Sequence, residues 1–432
     1  MRMVTALPAA IGAVAAGLAL ALSASAGSPA DPDGAAVPEV LAGYSLLTGD
    51  ASSSPPGPAV ALYQHGYGVE LLDFPQAVVL GAGGDVYRRV DAAEDRAGAE
   101  TQGDPAPMLL SPDGTKVAVG DHDTDRPDVL VVDLLTGDTT THPLPTGRSV
   151  LPVAWSRDGR TLAHLLSPEP TDPYTGERIA GQVGLLDLAD DATTVLPDAD
   201  VTAVAFSPDG AELAVEQADT DSVAAARLRV VDLASGAERD LEADGVLAGP
   251  AGWSPDGRLI ATTTLESSGA PVGIPDPGVP TGLAFVDPSG RGGAVPAPLE
   301  LPLAGPGRVL GWTAAGEVVT LLDVDGYDPC CGPEAYTLSR VPVDGAPPTT
   351  LTRIRDLQSY GVGRFQMAAS LAGDLAVVDP DDIDRGPWPW PWRIGVAAAV
   401  GLAAWLAALL TAQFAALVLR RRGQGPVPDA VG

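Results

Sequence analysis

One repeated unit limits what this chain can fold into. VTAVAFSPDGAELAV at Val201–Val215 reappears as MLLSPDGTKVAV at Met108–Val119, VAWSRDGRTLAHL at Val153–Leu165 and AGWSPDGRLIATT at Ala251–Thr263. A weakened copy, LGWTAAGEVVTLL, covers Leu310–Leu322. Ser207-Pro208-Asp209-Gly210 suits a type I turn closed by a left-handed residue. Proline presets φ at the second position, the aspartate can bond its own backbone, and glycine accepts a positive φ. The runs on either side alternate apolar and small or polar residues with period two, as half-buried strands do. Each copy therefore predicts a β-hairpin.

A second half follows each hairpin. After a loop of variable length comes an apolar strand ending at Asp133, Asp187, Asp232 or Asp287, then a small turn and a more polar strand. The turn glycines Gly114, Gly159, Gly210, Gly257 and Gly316 are 45, 51, 47 and 59 residues apart. Four-stranded antiparallel units of this length, none able to bury both faces alone, predict an all-β fold, a β-propeller. The motif F/W-S-P-D-G-x-x-[LIV]-A followed by V-x-D-x-x-[ST]-G resembles the TolB-like, WD-related propeller repeats across Ala77 to Asp379. The Gly-His and Trp-Asp dipeptides of the WD type proper are missing, so the TolB-like group is the nearer match. The resemblance implies a fold and no particular activity, because propellers host many functions.

Closure sets the blade count. Five units start at Met108, Val153, Val201, Ala251 and Leu310, and a sixth pair of strands fits Arg364–Asp379, where SLAGDLAVV mimics SPDGTKVAV. The hairpin Ala77–Val90 could supply two outer strands for that pair, giving six blades and no open edge. Seven blades would require Val40–Leu72 to form a blade of its own.

The two ends read as export and anchoring signals. A short positive start and the apolar run Val4–Leu22 precede Ala24-Ser25-Ala26, a signal-peptide pattern for residues 1–26 that would otherwise serve as an uncleaved anchor. Residues 27–58 read as linker and 59–385 as the propeller ectodomain. A Trp-rich stretch, 386–393, then leads to the apolar run Ile394–Leu419, long enough to span a bilayer. Arg420-Arg421-Arg422 follow it, which by the positive-inside rule places the tail, 420–432, in the cytoplasm and the large domain outside. With a formal charge of −31 and Lys116 as its sole lysine, the chain is not expected to bind nucleic acid. Such acidity also serves simply to keep an exposed domain soluble.

Length variation is concentrated in the second-to-third loops, since the turn glycine and the strand-ending aspartate are 19, 28, 22 and 30 residues apart in the four clear units. These loops, Asp121–Asp128, Ser167–Gln182, Gln217–Arg227, Glu266–Thr281 and Asp323–Tyr336, share one face of the ring, and variable loops on a rigid scaffold are the usual place for binding. The candidate binding face carries Asp121, Asp123, Asp125 and Asp128 on one loop and Asp323, Asp325 and Asp328 on another. Neither cluster has the glycine and distal glutamate of an EF-hand, so solvated acidic loops are expected in place of a Ca²⁺ site. His65, His122, His142 and His164 are scattered singly and give no metal spacing. Adjacent Cys330-Cys331, in an oxidising compartment, predict a vicinal disulfide acting as a loop staple, or else as a contact or redox element.

These features point to a non-enzymatic, membrane-tethered propeller that takes a protein, peptide or envelope ligand, with no catalytic residues, metal or cofactor. Two alternatives stand beside it. A vicinal cysteine pair on a propeller resembles pyrroloquinoline-quinone dehydrogenases, although Gly137 is followed by DTTTHPL without the tryptophan of their docking repeats. The short cytoplasmic tail also suits a sensor that signals through a partner.

Overall fold

The computed structural model describes residues 13–16, 34–66, 68, 74–172, 179–217, 226–268, 278–324, 335–355 and 361–423. Most of the expected signal peptide, part of the Val40–Leu72 stretch, Cys330-Cys331, Asp325, Asp328 and the end of the tail lie outside the described residues. The chain divides into one unit formed by Ser28–Leu46 and Asp50–Asp384, and a second comprising Met1–Gly27, Leu47–Gly49 and Arg385–Gly432.

The first unit contains six four-stranded antiparallel sheets. Blade 2 runs Met108–Leu110, Lys116–Val119, Asp128–Asp133 and Thr139–Pro143. Blade 3 runs Ser149–Trp155, Thr161–Ser167, Gln182–Asp187 and Ala192–Val195, and blade 4 Val201–Phe206, Glu212–Gln217, Arg227–Asp232 and Glu238–Leu241. Blade 5 runs Val246–Leu247, Ile260–Glu266, Val279–Val286 and Leu299–Glu300, and blade 6 Val309–Trp312, Val318–Asp323, Ala335–Val341 and Thr349–Arg355. Each of these follows the order read from the repeat.

Blade 1 closes the ring. Its inner strand, Val362–Met367, comes from the far end of the chain and pairs with Ala59–His65, which pairs with Gln76–Gly81 and then Tyr87–Arg89. Six blades are present. The split differs from the expected one: the C-terminal side gives one strand and the N-terminal side three. The SLAGD segment forms a short 3-10 turn at Ala372–Asp374 where a hairpin was expected. The strand after it, Ala376–Val378, leaves the blade and pairs in parallel with Ala36–Pro38, inside the segment read as linker. In blade 5 the inner strand begins earlier than the motif suggests, and Trp253 meets Ile260 only as an isolated bridge.

Repetition also explains the packing. Six apolar clusters are present, one between each pair of neighbouring blades; for example, Leu62 and Val79 of blade 1 pack with Val117 and Val132 of blade 2, whereas Tyr63 and Val78 pack with Leu338 and Ile354 of blade 6. Period-two alternation sends successive side chains to opposite neighbours, so strands such as Ala59–His65 are buried on both faces. A recurring polar contact fastens the blades. The indole N–H groups of Trp155, Trp253 and Trp312 donate to the carbonyls of Leu109, Ala205 and Ala251 in the preceding blade, at 3.3, 3.1 and 2.9 Å.

The turns behave as their residues dictate. In the four full copies the serine hydroxyl donates to the aspartate two residues on, at 2.6 to 2.7 Å, and accepts an N–H from five residues on. Gly210 closes its turn at φ +71°, where a side chain would be strained. These contacts hold the Asp113, Asp158, Asp209 and Asp256 carboxyls below their ordinary value; burial opposes this in each, and for Asp113 it is the largest single influence.

In the second unit, the helix Trp390–Gly423 has an apolar stretch, Trp390–Arg420, whose mean hydropathy reaches 2.1. It is long and apolar enough to cross a membrane.

Candidate binding site in the central channel

The inner strands of all six blades converge on a channel that contains a cavity of about 600 Å³. Its wall combines residues that begin inner strands or precede them, such as Met108, Thr202, Leu247 and Arg308, with residues at the ends of second strands or in the loops beyond, such as His122, Glu216, Leu265 and Pro280. Those positions lie toward the second-to-third loops and away from the Ser-Pro-Asp-Gly turns. A smaller cavity of about 70 Å³ lies toward the turns, lined by Leu110, Trp155, Phe365 and Met367, and shares Leu109, Pro250, Arg308 and Gln366 with the larger one.

Most residues that line the wall are apolar, yet nearly half of its surface is polar, and a few polar side chains define its chemistry. Glu216 is buried and fully engaged: it accepts from the Thr202 hydroxyl at 2.7 Å and from the Leu247 N–H at 2.5 Å, which ties blade 4 to blade 5. Gln366 bridges blades 1 and 2, donating to the Met108 carbonyl at 2.8 Å and accepting from the Leu110 N–H at 3.0 Å. His122 is buried, with Nδ1 2.9 Å from the Thr171 hydroxyl. Burial first, and then the charge of Arg364, push its imidazole down to about 4, against a weaker pull from Asp172.

Two arginines face this wall from adjoining blades. Arg364 lies in the inner strand of blade 1 at a β-bulge, where the register slips opposite Tyr63, and it adopts φ +50°. A non-glycine residue in that region carries backbone strain that surrounding structure must hold. Its Nη1 donates to the Pro105 carbonyl at 3.0 Å. Arg308 immediately precedes the inner strand of blade 6. Nearby protein crowds its guanidinium, and that desolvation pulls its pKa down while Glu216 pulls it up. Its side chain nevertheless keeps exposed surface, because it faces a channel wide enough for water. The accessible surface decides the matter: an exposed guanidinium stays charged.

The acidic loop expected on the binding face is ordered by arginines. Arg148 pairs with Asp123 and, at 3.4 Å, with Asp125; Arg96 pairs with Asp128. Asp121 accepts the Asp123 N–H at 3.1 Å, and burial raises its carboxyl above the ordinary value. The loop delivers His122 to the cavity, whereas its aspartates are not among the lining residues. Asp323 ends the second strand of blade 6. Among the described residues no group of three or more His, Cys, Asp or Glu is arranged to hold a metal. Sequence reading missed Arg308, Arg364 and Glu216, which stand singly in unremarkable strings. One signal was present: Gly361-Val362-Gly363-Arg364 marks irregular backbone at the start of a strand.

No protein-family model matches the chain, and no curated protein matches its sequence. Solved structures do resemble it. TolB from Acinetobacter baumannii is 17% identical with a TM-score of 0.47, covering 72% of this chain and 67% of that one. A putative TolB from Agrobacterium tumefaciens is 16% identical with a TM-score of 0.40 over 74% of this chain and 96% of that one. Hydrazine synthase from Kuenenia stuttgartiensis is 18% identical with a TM-score of 0.39 over 62% and 70%. The chain is similar in fold to these TolB structures. Its six blades rest on the strand pairing itself, and these distant similarities extend no further than the fold.

Proposed function

We propose that this chain is a non-enzymatic extracytoplasmic propeller, tethered to the cytoplasmic membrane by the helix Trp390–Gly423, that binds a protein, peptide or envelope ligand through its loop face. The observation that carries this reading is the cavity of about 600 Å³ on the side of the second-to-third loops. That volume falls in the range of ordinary ligand sites, and its wall mixes apolar side chains with a few fixed polar groups. The opposite face, by contrast, is built from turns whose polar groups bond one another. The three arginines after the apolar run support an outward-facing domain.

The test is site-specific photo-crosslinking of the full chain in native membranes, with the photoreactive residue at Asp125 on the loop face or at Asp209 on the turn face. Discrete adducts from Asp125 and none from Asp209 are expected. Adducts from Asp209 alone would reverse the choice of face, and none from either would remove the macromolecular ligand.

A further inference from the structure

Positive charge is scarce in this protein, with 25 Lys and Arg against 56 Asp and Glu, so the placement of each arginine is informative. Arg88, Arg89, Arg96, Arg148, Arg229 and Arg239 all pair with carboxylates within 4 Å. Arg308 and Arg364, like exposed arginines such as Arg126 and Arg258, pair with no carboxylate among the described residues, but these two line one cavity. The Arg308 guanidinium makes no hydrogen bond to a described residue, and Arg364 gives one N–H to Pro105. Among the described residues, the one carboxylate in that wall, Glu216, already accepts from Thr202 and Leu247. His122 is held neutral beside Arg364 and adds no charge at neutral pH.

The channel wall thus presents two cations against one committed carboxylate, in a chain whose remaining surface is strongly anionic. The strained backbone at Arg364 is hard to explain as scaffold, because a β-bulge there aims a cation where the described residues provide no counter-ion. Apolar side chains of Leu109, Leu151, Val153, Leu247 and Leu265 share the same space.

We propose that Arg308 and Arg364 bind the carboxylate of an amphipathic acid whose apolar body packs against those side chains. Arginine suits this role because its planar fork of donors matches a carboxylate, and charge-assisted hydrogen bonds are the stronger kind. The carboxylate belongs either to a free organic acid or to the C-terminus of a peptide. This inference rests on the loop-face reading, since the cavity lies on that side.

The test is calorimetric titration of the full chain in detergent with two probes, 4-phenylbutyrate and N-acetyl-leucyl-phenylalanine, and with the amide of each. Both acids, or one of them, should bind and their amides should not. Binding of the dipeptide acid alone would assign the site to peptide C-termini, and binding of 4-phenylbutyrate alone to free acids. Arg308→Gln and Arg364→Gln should each weaken the acid by about 10- to 100-fold, as expected for loss of a charge-assisted contact. Arg308→Lys, which keeps the charge, should weaken it less than Arg308→Gln. Should either Gln variant melt early, the amide comparison and the Arg308→Lys variant still decide. Failure of both acids to bind, equal binding of acids and amides, or indifference to both Gln substitutions in folded protein would overturn the proposal. Crosslinking from Asp125 without acid binding removes only the channel site. Acid binding without crosslinks leaves the channel site standing and removes only the macromolecular ligand.

Discussion

His164 offers a sharp test of how burial shapes this protein. It sits in the second strand of blade 3 with no exposed surface, at a bulge next to Ala163 and opposite Gly184. The missing side chain of Gly184 leaves the space the imidazole occupies. Neither ring nitrogen makes a well-formed hydrogen bond, and burial pushes the imidazole down to about 4, with only a poor contact to the Leu162 backbone pulling the other way. In the unfolded chain the same group titrates near 6.5. Between these two values the unfolded state binds more protons than the folded state, so stability rises with pH. The contribution is complete above about 6.5 and is lost as pH falls toward 4. Lowering the pH from 8 to 5 should cost about 2 kcal/mol at this one site. In His164→Leu nothing titrates, and no buried nitrogen lacks a partner, so the variant should be at least as stable at neutral pH.

Urea unfolding of the full chain in detergent, followed by tryptophan fluorescence at pH 8 and pH 5, checks this. The quantity to compare is the pH-induced loss of stability in the wild type minus that in the variant. Asp50 and Asp121, whose carboxyls burial raises, and His122 titrate in both proteins and cancel in the difference. Equal losses in the two proteins would refute the reasoning, since the imidazole would then be protonated or hydrogen-bonded in the folded state.

Three further outcomes follow from the contacts that join the ring. Trp312→Phe keeps the ring between blades 5 and 6 but leaves the Ala251 carbonyl without its 2.9 Å donor, so thermal unfolding should show a loss of about 1 kcal/mol, while Phe206, which has no N–H at the equivalent position, should tolerate Phe206→Leu without any polar penalty. Arg88→Ala should be more damaging: Arg88 is fully buried, donates to the Asp384 carboxylate at 2.9 Å and to the Tyr87 and Asp384 carbonyls, and its removal should cost about 3 kcal/mol in denaturant unfolding.

The repeat made much of this protein legible from sequence alone. Turn chemistry is local: a serine, an aspartate two residues on and a glycine able to take φ +71° satisfy one another within six residues, so the hairpins needed no partner to be recognised. Alternation is local too, and it announced strands that bury both faces. The apolar run after Trp392 was equally plain, because spanning length and composition are properties of consecutive residues.

What the tertiary structure decided depends on residues far apart in the chain. Ala61 pairs with Met367 across some three hundred positions, and nothing near either residue states which end would contribute three strands and which one. That division is set by ring closure, in which the last inner strand must find an unpaired edge. The channel has the same origin. Arg308, Arg364, Glu216 and His122 sit on four different blades and carry no shared spacing, so no reading along the chain could bring them together. Local rules fix the blade because its contacts lie within a few residues, whereas the site exists only where six blades meet, and that meeting is governed by long-range packing.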